Sequence, residues 1–298
     1  METRSIRPAA VAGMFYPGDP HRLAMDVGVM LAGAVPMHTA GAAGAVPPAP
    51  TFGASAERPN LPPAPTLAAT PPKALIVPHA GYIYSGPIAA SAYALLAPHA
   101  ATIRRVVLLG PCHRVAVRGL AVPQSCTFTT PLGSVPLDTA AIEQALRLPQ
   151  VVQNDAAHAD EHSLEVQLPF LQQVLDDFSL VPFAVGYATP DEVAAVLELL
   201  WGGPETLIVI SSDLSHYHPY ADAQRRDRHT ADAIMHLRLL LDHEQACGAT
   251  PINGLIQAAK RRGLRPQLLD LRNSGDTAGD KSRVVGYASF AFLAAGHA

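Results

Sequence analysis

Three short apolar runs in this chain each break into a segment that ends in a histidine. Leu75-Ile76-Val77 leads into Pro78-His79. Val107-Leu108-Leu109 leads into Gly110-Pro111-Cys112-His113, and Ile208-Val209-Ile210 into Ser211-Ser212-Asp213-Leu214-Ser215-His216. Runs this short, apolar at every residue rather than at alternate ones, read as strands buried on both faces of a parallel sheet. Amphipathic stretches lie between them. The spacing predicts helices over 19–31, 85–97, 138–148, 163–177, 189–201, 221–241 and 251–262, with further strands over 178–186, 267–271 and 284–292. Asp19-Pro20 supplies an N-cap and a first-turn proline, and Thr189-Pro190-Asp191-Glu192 is a capping box. Strand alternating with helix predicts an α/β fold: a single three-layer domain with a mostly parallel central sheet covered by helices. Open sheets of this kind bind ligands beyond the carboxyl ends of their strands. The three breaks therefore deliver His79, His113, Asp213 and His216 to one edge.

These are metal-site residue types. Neutral imidazole is the commonest protein ligand for a metal, and two histidines plus one anionic ligand, with open positions, make a non-haem iron site. Cys247, in Ala246-Cys247-Gly248, precedes a helix expected from Pro251. A thiol there has its thiolate favoured, although a buried structural cysteine fits the sequence equally well. Gly81 and Gly86 flank Tyr82-Ile83-Tyr84-Ser85, which reads as a turn before a helix capped by Ser85. A competing pattern is His158-x-x-Glu161-His162, the inverted zinc-peptidase spacing. On one continuous helix His158, His162 and Glu165 would share a face, which defines a zinc-dependent hydrolase as an alternative. With Asp155 and Ser163 as helix caps instead, His158 and Glu161 fall in a loop. No glycine-rich dinucleotide fingerprint, phosphate loop, GxSxG elbow or CxxC occurs.

Composition sets the remaining bounds. Residues 33–72 hold 11 Ala, 10 Pro and 4 Gly but only two charges, Glu57 and Arg58. Proline at that density breaks both helix and strand, so this stretch reads as a flexible or polyproline-like insertion in a domain spanning 1–298. A formal charge of −4 gives no basic face for nucleic acid or an anionic membrane. No apolar run approaches the roughly 18 residues of a membrane span, and the first 16 residues carry no apolar core of a signal peptide. Three cysteines, Cys112, Cys126 and Cys247, suit a reducing cytoplasm.

The motifs together carry a resemblance. Arg7-Pro8-Ala9, Ala12-Gly13-Met14-Phe15-Tyr16-Pro17, Pro78-His79-Ala80-Gly81-Tyr82-Ile83-Tyr84-Ser85-Gly86 and Gly110-Pro111-Cys112-His113 come first. Thr130-Pro131-Leu132-Gly133, Glu161-His162-Ser163-Leu164-Glu165, Ser211-Ser212-Asp213-Leu214-Ser215-His216 and Cys247-Gly248 follow in order. The chain resembles the Memo family, protein B of the AmmeMemoRadiSam system. The resemblance implies a fold like the class III extradiol dioxygenases and a pocket for one metal ion. It implies His79, His113 and Cys247 as ligands, His216 and Asp213 as catalytic residues, and Phe15, Tyr84, Glu161 and His162 as pocket lining. A thiolate in place of the dioxygenase carboxylate favours Fe(II), Cu or Zn over Mg or Ca, and the likeness to the non-haem iron dioxygenases puts Fe(II) first. The family name implies a functional link to AMMECR1-like and radical SAM proteins. Redox or O2-dependent chemistry on an unknown small molecule is one expectation. A non-enzymatic module capturing an anionic peptide or small ligand in the same pocket is the other.

Overall fold

A computed structural model describes residues 5–34, 71–239 and 242–294. Most of the predicted insertion lies outside the described residues. The sheet strands are β1 (Ala74–Val77), β2 (Arg105–Pro111), β3 (Leu120–Val122), β4 (Val151–Gln153), β5 (Ser179–Val185), β6 (Thr206–Ser211), β7 (His216–His218), β8 (Leu264–Asn273) and β9 (Val284–Ala294). Their order is β7-β9-β1-β6-β2-β5-β3-β4, with β8 on the other side of β9. The parallel character sits in the centre, where β1, β6, β2 and β5 run together. The margins are antiparallel: β9 opposes β1, β7 and β8, and β3 opposes β5. The connection from β8 to β9 is too short for the crossover that a parallel pair requires, so it turns back on itself.

Every residue of β1 and β6 is buried, and so is every residue of β2 except Arg105. Such strands need cover on both faces. One contiguous apolar core joins them to the helices Pro20–Ala32, Tyr82–Tyr93, Pro190–Leu199 and Ala249–Arg262. The late strand β6 inserts between the early strands β1 and β2. This reversal of strand order brings together three carboxyl ends that are far apart in sequence. No helix among the described residues is long and apolar enough to cross a membrane.

Two local expectations are corrected. The helix expected from Ser85 begins at Tyr82, with Gly81 at its N-cap, so the glycine-flanked segment is helix rather than turn. Gly86 is there for packing: a Cβ on it would lie 2.4 Å from Met30 Sδ on the neighbouring helix. The Ser85 hydroxyl donates to the Ala80 carbonyl at 2.9 Å instead of capping. The helix expected over 163–177 is two pieces, His162–Glu165 and Leu168–Val174, with Pro169 in the first turn of the second.

Candidate metal centre

The end of β1 places His79, and the end of β2 places His113 two residues beyond Pro111. His162 is the first residue of the short helix that crosses β2. That helix approaches because Gly110 has no side chain; a Cβ on it would lie 2.7 Å from Ser163 Oγ. One ring nitrogen from each of His79, His113 and His162 lies within 4.8 Å of the others, a geometry that can hold a metal ion. The His113 and His162 rings stack at 4.7 Å, and His79 stands edge-on to both at 5.3 and 5.4 Å. Phe15 packs on His162 at 4.7 Å. Tyr84 is half-buried in the helix that follows His79.

Cys247 reaches the same point from another direction. Its Sγ lies 3.2 Å from His79 Nε2 and accepts the Asp213 amide at 3.3 Å. Gly248 makes this approach possible, since a Cβ there would lie 2.7 Å from Ser212 Cβ and 2.8 Å from the Ser211 carbonyl. The helix that follows does not dominate the thiol. Burial, reinforced by the Asp213 carboxyl, pushes its pKa up, so ionisation of Cys247 calls for a nearby cation.

Burial sets the protonation of the donors. It holds His79 well below the usual imidazole range, helped by the neighbouring histidines. It brings His162 down to about 4 against the pull of the Glu161 carboxylate. Both rings are neutral at pH 7, as ligation requires. Burial alone would raise Glu161, but hydrogen bonds from His113 and Ser163 bring it down to about 2. Its carboxylate accepts the His113 ring Nδ1 at 2.9 Å, the His113 amide at 2.6 Å and the Ser163 amide at 2.9 Å. A carboxylate can only accept, so His113 carries its proton on Nδ1 and presents Nε2.

Asp213 is buried, and its carboxyl accepts the His79 amide at 2.7 Å. Burial pushes it up to about 7, against the pull of the His79 and Ala80 amides. His216 opens β7, half-buried, with its pKa lowered by burial. The next residue, Tyr217, has a left-handed φ of 62°. A cleft of about 700 Å³ opens beside His113 and Cys247, walled by Val115, Val117, Val185 and Tyr187 with Arg118 and His243 on its lining.

The continuous helix that the inverted zinc spacing needs is not formed. Residues Ala156–Ala159 make one turn, Asp160 ends it, and Glu161 caps the next helix. His158 is buried elsewhere, with Nε2 on the Ala121 carbonyl at 2.9 Å, and Glu165 is taken up by Arg7. Burial lowers His158 to about 4. An unfolded histidine titrates near 6.5, so the unfolded chain binds an extra proton between those values. Stability therefore falls as pH drops from 6.5 towards 4, by about 2 kcal/mol at pH 5 from this residue. Urea unfolding at pH 7 and pH 5 reads the loss. His158→Gln keeps a donor for Ala121 without titrating and should remove that share; an unchanged pH dependence would show that the burial of His158 does not set it.

A family model described as Memo-like protein matches residues 7–291. A MEMO1 family protein of Ignicoccus hospitalis is 36% identical, over 96% of this chain and 98% of its own length. One from Sulfolobus acidocaldarius is 34% identical over 96% of this chain and 99% of its own. One from Aquifex aeolicus is 36% identical over 74% and 86% respectively.

Proposed function

This chain belongs to the Memo family, and from that premise we propose that it is a redox metalloprotein acting on a small molecule bound in the cleft beside His113. The observation that carries this reading is the convergence of His79, His113 and His162 within 4.8 Å, with the Cys247 thiol 3.2 Å from His79. The residues fit a metal. His162 Nδ1 is buried and makes no hydrogen bond, its nearest polar neighbour being the Glu161 carboxylate at 3.4 Å, and the donors are nitrogen and sulfur rather than oxygen. Such a set selects Fe(II), Cu or Zn over Mg or Ca. His79 and His113 would hold the ion, with Cys247 or His162 completing the set. When bound, the metal supplies a Lewis-acidic and redox-active centre.

The chain's own residues supply the rest. His216 exchanges protons with the bound molecule, since a half-buried imidazole with a lowered pKa is neutral and able to accept. Asp213 holds the backbone of His79 in place. Phe15 packs on the His162 ring, and the valines of the cleft exclude water from it. The three cysteines are free, which supports a reducing compartment such as the cytoplasm.

The test is metal content of anaerobically purified protein, followed by O2 uptake after metal is restored. Stoichiometric redox metal with O2 uptake is the expected result. Protein that retains no metal yet captures an anionic peptide or small ligand would replace the enzyme with a binding module.

A further inference from the structure

We propose that Ser211, itself held by Gln167, fixes the tautomer of His79 so that Nε2 is the atom offered to a metal. The proposal rests on the metal-site reading above and assigns a positioning role to two residues that touch no ligand. Ser211 ends β6, and Gln167 lies between the two short helices that follow Glu161. Ser211, Gln167 and His79 are all buried, so no solvent enters their hydrogen-bond accounting.

A serine hydroxyl has one proton to give and two lone pairs to accept with. The Ser211 proton goes to the Ser163 carbonyl at 2.6 Å, an oxygen that can only accept. One lone pair takes the Gln167 side-chain nitrogen at 2.8 Å. The orientation of that amide is fixed by the Pro78 carbonyl, which can only accept. Its nitrogen also donates to the Pro78 carbonyl at 2.9 Å, and its oxygen accepts the Tyr93 hydroxyl at 2.9 Å. The one contact left to Ser211 is His79 Nδ1, at 2.9 Å. With no second hydroxyl proton to offer, Ser211 accepts there, and Nδ1 carries the hydrogen. The lone pair is then on Nε2, the atom that faces Cys247 Sγ.

Glu161 sets His113 in the same sense. The two strand-end histidines thus present equivalent nitrogens through different acceptors, a neutral hydroxyl and a carboxylate. Without the Ser211 hydroxyl the main-chain carbonyl of Ser211 is the acceptor left to the His79 ring, so the Nε2-protonated form gains population and binding must then first move that proton.

The tautomer is read in metal-free protein by long-range proton–nitrogen correlation of the imidazole rings, with His79 identified by the signals lost in His79→Gln. The wild type should show His79 protonated on Nδ1. Ser211→Ala should populate the Nε2-protonated form and weaken Zn2+ binding, measured by chelator competition, by about 10- to 100-fold. Ser211→Thr, which restores a hydroxyl, should recover both. A wild-type ring protonated on Nε2, in protein that binds Zn2+ normally, overturns the proposal. So does Ser211→Ala with the wild-type tautomer and Zn2+ affinity. If Ser211→Ala does not fold, the wild-type spectrum still decides. Wild-type protein with Nδ1 protonated and no Zn2+ binding overturns the metal reading instead, and the donor role of Nε2 with it.

Discussion

His79→Ala and His113→Ala are each expected to give folded protein that has lost its metal. Both remove a donor outright, so the drop in affinity should exceed the roughly 10- to 100-fold that follows loss of an outer hydrogen-bond partner. Fold should survive for different reasons. His113 is 31% exposed, so its ring carries little of the core. His79 is buried, but its backbone is held by Asp213 independently of its ring. The third donor is decided by comparing Cys247→Ser with His162→Ala, because each sits against a different flank of His79. Metal retention by whichever variant keeps a complete set separates the two arrangements. His158→Ala serves as the control and should keep its metal, since its ring is committed to the Ala121 carbonyl. Full stoichiometric metal in all four site variants at low free metal would sink the assignment. Metal loss in His158→Ala and His162→Ala, with His79→Ala and His113→Ala unaffected, would restore the inverted zinc pattern.

His79 and His113 were legible because each follows an unbroken apolar run, and strand order places those runs on either side of β6 whatever their loops do. The six-residue strand β6 was legible for the same reason, its bounds coinciding with the apolar run Thr206–Ser211. The three-residue strands β3, β4 and β7 were not: a run that short carries no period, and β7 contains His216-Tyr217-His218 with no apolar aliphatic residue. His162 could be grouped with His79 and His113 only by reading the helix break at Asp160. The cap there is Glu161, and glutamate is not among the residues that announce a helix start. Ser211 and Gln167 are 44 positions apart and look like ordinary polar residues. Their role appears only when each proton in the buried network is assigned to a bond. Glu165, which the inverted zinc spacing would set on one face with His158 and His162, is fully buried, and its partner Arg7 lies 158 residues away.

Breaking that ion pair from one side is expected to be among the most destabilising single changes outside the apolar core. Arg7 and Glu165 are 6% and 0% exposed. The guanidinium meets the Glu165 carboxylate, donates to the Glu161 carbonyl at 2.8 Å and to the His158 carbonyl at 2.9 Å, and lies over the Phe128 ring. The carboxylate also accepts the Ala10 amide at 2.8 Å, the Val11 amide at 3.0 Å and the Tyr16 hydroxyl. Arg7→Ala leaves a charge buried without its counter-ion and strips two carbonyls of a donor. Removing one partner of a buried pair costs about 3–5 kcal/mol, and at about 2–4 °C per kcal/mol for a chain of this size the melting temperature should fall by about 10 °C. Arg7→Met with Glu165→Gln removes both charges and should cost less than the sum of the single changes, a coupling that a double-mutant cycle in urea measures. Additive losses, or a loss below about 1 kcal/mol in Arg7→Ala, would show that the backbone amides alone satisfy Glu165. The consequence reaches the metal centre. Arg7 ties down the carbonyls of His158 and Glu161 on either side of the helix break, and the segment that carries Arg7 also carries Phe15 against His162. Zn2+ affinity should therefore fall with stability in Arg7→Ala although Arg7 touches none of the donors. Unchanged affinity in a destabilised variant would confine the ion pair to the scaffold and leave His162 positioned by Glu161 and the approach at Gly110 alone.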